Sequence, residues 1–114
     1  MSDQEMLELA AWAYGSKGWR ENPHYMKGFL SRWNPLIDDG DAFRLAVKLH
    51  ICTIFPMRGD TYKQCGAGQV GSERPAVMEP HDPDPYAATR RAIVRAAAEI
   101  GKAMKETALR REET

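Results

Sequence analysis

At 114 residues the chain suits one domain, able to bury roughly two thirds of its unfolded-chain surface and to hold a core without metal or disulfide staples. With 43% apolar and 28% charged residues and three tryptophans, it is neither disordered nor fibrous in composition. Sixteen basic residues balance sixteen acidic ones, which excludes a global field drawing the protein to nucleic acid or an anionic membrane.

The opening MSDQEMLELA carries acids where a signal peptide carries Lys or Arg, and no apolar run approaches the roughly 18 residues that span a bilayer. The expected location is the cytoplasm, without membrane attachment. Cys52 and Cys65 lack CxxC spacing, so they read as two thiols rather than a zinc ribbon or redox motif.

Ser2 with Glu5 forms a capping-box pattern, and Met6, Leu9, Ala10 and Ala13 repeat at helical spacing, predicting a helix over 3–14. Breaks at GSKG and NPH follow, and YMKGFL reads as a short strand or an ordered loop. A second, amphipathic helix is predicted over 41–49, with Ala42, Leu45, Ala46 and Leu49 on one face.

HICTIFPM and TYKQC, separated by Arg58-Gly59-Asp60, read as a hairpin. A two-residue turn at Arg58-Gly59 makes paired positions total 117, setting Cys52 opposite Cys65 and Phe55 opposite Tyr62. A third strand is expected over 69–74, with AVMEP continuing it as an edge. Asp84-Pro85 is a cap-and-start pair for a long last helix over 85–109. Its inward stripe is Tyr86, Ile93, Ala97, Ile100 and Met104, with outer charge pairs such as Arg95 to Glu99. Ala88, Ala92, Ala96 and Ala103 form small-residue faces that permit close packing on another helix, including one from a second copy. The fold class is therefore α+β, a small antiparallel sheet of three to four strands sandwiched or covered by three helices.

In WNPLIDDGDAF, the cluster Asp38, Asp39 and Asp41 invites a metal reading, but the spacing is not an EF-hand and the acids suit a helix start. Trp33 reads as an apolar anchor beside that start. His24, His50 and His81 stand in no metal-ligand spacing. GAGQVGS matches neither phosphate-loop pattern, and there is no GxSxG elbow. No cofactor and no catalytic residue is assigned, and the expectation is a protein that is not an enzyme.

The segment around Lys17, Trp19, Arg20, His24, Tyr25, Lys27, Arg32 and Trp33 interleaves cations with aromatics, the chemistry that grips nucleotides or single-stranded nucleic acid. Trp19, Arg20, Tyr25, Lys27, Arg32 and Trp33 are its candidate ligand-binding residues.

The runs RWNPLIDDGDAFRLAVKLHI and ATRRAIVRAAAEIGKA resemble small phage and prophage proteins of the ABA-sandwich group, over residues 32–55 and 84–104. The resemblance implies a sheet between helical layers and contributes no catalytic residues. The expected function is a non-enzymatic phage or prophage accessory protein in the bacterial host cytoplasm. It would act by self-association as a homodimer or by binding a protein or small molecule; the alternative is a nucleotide or single-stranded nucleic-acid module using 17–33.

Overall fold

The Ser2 hydroxyl accepts the Glu5 backbone N–H at 3.1 Å and starts α1, Asp3–Tyr14, over the span its apolar repeat predicts. The structure, a computed structural model, describes residues 1–15, 23–56 and 63–113. Within it YMKGFL is neither strand nor loop but part of a helix, α2, Pro23–Leu30. Met26, Phe29 and Leu30 stand at helical spacing and pack against the core. Gly28 costs about 1 kcal/mol of helix propensity, which that packing outweighs.

Asp38 caps α3, Asp39–Leu49, accepting the Asp41 backbone N–H at 2.7 Å. This helix begins two residues earlier than the periodicity predicts, because Asp39 and Gly40 form a polar first turn outside the apolar repeat. His50 ends it in the left-handed region at φ 55°, turning the chain directly into the sheet.

The sheet is antiparallel in the order β1 (Ile51–Ile54), β2 (Gln64–Gln69), β3 (Val77–Pro80). Paired positions on the first two strands total 120 rather than 117, so Cys52 faces Gly68, not Cys65. An odd shift in register puts the two cysteines on opposite faces, Cys52 exposed and Cys65 buried, and both are free thiols. The pairing of Phe55 with Tyr62 and the Arg58-Gly59-Asp60 turn lie outside the described residues. The expected third strand over 69–74 is instead the end of β2 and a turn through Gly71 at φ 80°, and VMEP of AVMEP is itself β3.

Asp84 Oδ1 accepts the backbone N–H groups of Tyr86 and Ala87 at 3.0 and 3.1 Å, opening α4, Pro85–Glu113. α4 packs against all three strands and against α1 and α3. The architecture is α+β; among the described residues there are four helices rather than three, and the sheet is covered on one face. On its other face Cys52, Ile54 and Met78 are exposed, and the Met78 side chain lies over Gly66.

Ile93, Ala97 and Ile100 of the expected stripe are buried, but Tyr86 and Met104 are 71% and 47% exposed. Both ends of α4 overrun their cover: Arg91 reaches Asp3 at the start of α1, and Gly101 meets Leu9, so Tyr86 precedes α1 and Met104 nears its end. Arg95 does not pair with Glu99; it donates to Glu79 at 2.8 Å and to the Met78 carbonyl at 3.0 Å, tying α4 to β3. Of the small residues, Ala88, Ala92 and Ala96 are buried within the chain and Ala103 is half-buried, so most of that face of α4 is already filled.

Candidate functional site

The aspartates of WNPLIDDGDAF build a helix start. Asp41 accepts the Asn34 backbone N–H at 2.9 Å and Arg44 Nη2 at 2.8 Å, while Asp39 accepts Arg90 Nη1 at 2.6 Å. Arg90 also donates from Nε to the Leu36 carbonyl at 2.9 Å, clamping α4 to the loop. The Arg44 pKa is raised above its ordinary value, chiefly by the hydrogen bond to Asp41. Among the described residues no group of three or more His, Cys, Asp or Glu could hold a metal ion. Asp38→Ala is expected to lower stability by about 1 kcal/mol through the lost cap, read by urea denaturation, and to leave the response to added Ca²⁺ or Mg²⁺ unchanged.

Four of the six candidate ligand-binding residues are among the described residues. Trp33 is 5% exposed, its ring centroid 4.8 Å from that of Phe29 and 5.5 Å from that of Tyr14. It anchors the ends of α1 and α2 to the start of α3 and offers no stacking platform. Tyr25 and Lys27, both exposed, stand two positions apart on α2, roughly 200° around the helix, and so face different ways. Arg32 is exposed beyond the end of α2. Trp19 and Arg20, with Lys17, lie outside the described residues.

One of them does line a concave surface. Lys27 borders a cleft of about 930 Å³ between α1 and α2, closed at one side by Lys105 of α4. Its floor is half-buried and apolar: Leu9 and Trp12 from α1, Met26 and Leu30 from α2. Its rim is exposed and charged, with Glu5 and Glu8 on the α1 side against Lys27 and Lys105. Leu9 and Trp12 stand three apart on α1, beside its buried stripe of Met6, Ala10 and Ala13, so their faces extend the apolar arc past what α4 covers. That widened arc is the sequence signal for the cleft, and it is informative only once α2 is known to be a helix.

Of two further cavities, one of about 370 Å³ lies between α4 and the β2–β3 side of the sheet, and one of about 440 Å³ lies between α4, β3 and Met1 and Met6. Both are bordered by Arg95, which is engaged with Glu79. No family model, curated protein or solved structure matches this chain.

Proposed function

We propose that the protein is a non-enzymatic binding protein of the phage accessory type, acting in the bacterial cytoplasm, and that it holds an amphipathic helical segment in the cleft between α1 and α2. The observation that carries this reading is the lining: half-buried apolar side chains from two helices, bordered by exposed acids on α1 and exposed lysines on α2 and α4, which suits a helix with apolar residues at spacings of three and four. The phage context rests on the resemblance of residues 32–55 and 84–104. Glu5 and Glu8 oppose Lys27 and Lys105, so the rim has no net positive charge to collect phosphates, which favours a polypeptide over a nucleic acid.

The test is a titration of dilute protein with a 15-residue amphipathic helical peptide bearing Lys on one flank of a leucine stripe and Glu on the other. Saturable backbone amide shifts are expected in residues 4–12 and 26–31, and weaker binding at raised salt. No shift at millimolar peptide would remove the reading. Shifts at Tyr25 and Arg32 with single-stranded oligonucleotide, and none with peptide, would replace it with the nucleic-acid module.

A further inference from the structure

We propose that the occupant of this cleft is the C-terminal end of α4 from a second copy of the chain, exchanged reciprocally; this rests on the cleft reading above and names its partner. Leu9 lies against Gly101, and Trp12 and Lys105 line the same cleft, so α1 and α4 run side by side in the same direction. α1 ends at Tyr14, level with about residue 106 of α4. From there to Glu113 the last helix has no α1 beside it, an overhang of about 12 Å at 1.5 Å per residue. The cleft runs from Gln4 to Trp12, also about 12 Å along the helix.

The overhang also carries matching chemistry. Leu109 is 56% exposed, an apolar side chain on a helix end that touches little of its own chain. A two-fold axis near Lys105 sets the two last helices antiparallel, each overhang beside the other copy's cleft. By the same register, Arg110 of the second copy comes level with Glu8, and Glu106 of the second copy comes beside Lys105. Leu109 then faces the floor formed by Leu9 and Trp12. Each contact occurs twice, and every named charge meets its opposite. The small-residue face of α4 plays no part, since most of it is filled within the chain. The expected assembly is a weak, concentration-dependent dimer, of the class formed by interfaces below about 1,200 Å².

The test is sedimentation of the full chain from micromolar to millimolar concentration, with helicity checked by circular dichroism. Glu8 and Arg110 are both exposed, so reversing either leaves the fold intact. Glu8→Arg and Arg110→Glu are each expected to weaken dimerisation about tenfold or more, and the double variant to restore it to within about threefold of the original. A monomer at every concentration overturns the proposal, and so does a dimer indifferent to both reversals. If the chain is monomeric while the amphipathic peptide still shifts the cleft amides, self-docking fails and the cleft reading stands; if neither binds, both fail.

Discussion

Gly101→Ala is expected to destabilise the fold by about 3 kcal/mol, although alanine is the better helix former by about 1 kcal/mol. A Cβ at this position would lie 1.9 Å from the Leu9 carbonyl oxygen and 2.8 Å from its carbon. Those are backbone atoms, and no rotamer change relieves the overlap. Relief requires moving α1 away from α4, which opens the core that holds Ala10 and Ala11 of the one and Ala97 and Ala98 of the other, all of them buried. For a domain of this size the loss corresponds to roughly 10–20 °C in Tm. Gly28→Ala provides the opposite sign: nothing lies within 4 Å of its Cβ position, so helix propensity alone acts and a gain of about 0.5–1 kcal/mol is expected. Urea denaturation of the two variants side by side reads both. If Gly101→Ala matched Gly28→Ala in sign, the close crossing of the first and last helices would be wrong.

Trp33→Ala is expected to cost about 3–5 kcal/mol, the range for truncating a large buried aromatic. Its ring joins three segments: the end of α1 through Tyr14, the end of α2 through Phe29, and the turn before α3. Lys48 adds a cation 5.4 Å from the Tyr14 ring centroid, extending the cluster to α3. Trp33→Phe keeps part of the stack and should lose markedly less. Tyr25→Ala, on the exposed side of α2, should fall within about 0.5 kcal/mol of the original. Equal losses for Trp33→Ala and Tyr25→Ala in urea denaturation would show that Trp33 is no anchor.

Elements whose start is written in local chemistry were legible without the structure. Ser2 with Glu5, the acids at 38–41 and Asp84 with Pro85 each satisfy free helix N–H groups, an interaction contained within four residues. α2 was not legible, because eight residues containing Gly28 give too few turns for a helical period to stand out from an alternating one. Strand register failed for a different reason. It depends on the length of the connection between strands, and a turn motif at Arg58-Gly59 does not by itself fix how many residues the connection holds. The expected outward pair of Arg95 with Glu99 does not form, since Arg95 prefers a carboxylate on β3 that is 14% exposed over a neighbour on its own helix. Of the residues that line the cleft, only Lys27 belongs to the cation and aromatic set that the sequence singles out. Glu5, Glu8 and Trp12 read as ordinary surface of α1 until α2 is placed beside them.

The seam between α1 and α4 also sets when the protein can fold. Leu9 and Gly101 stand 92 positions apart, and Arg91 is bonded to Asp3 across 88. At roughly 5–20 residues per second, α1 is synthesised some 5–20 s before its partner exists. During that interval Leu7, Ala10 and Ala11 have no α4 to pack on, and the inner face of the sheet is bare. Contacts of such long range slow folding, because the loop must close before any contact stabilises it. The core of this protein is therefore completed only once α4 has been made, and a chain cut short before Gly101 loses the seam that holds its first helix.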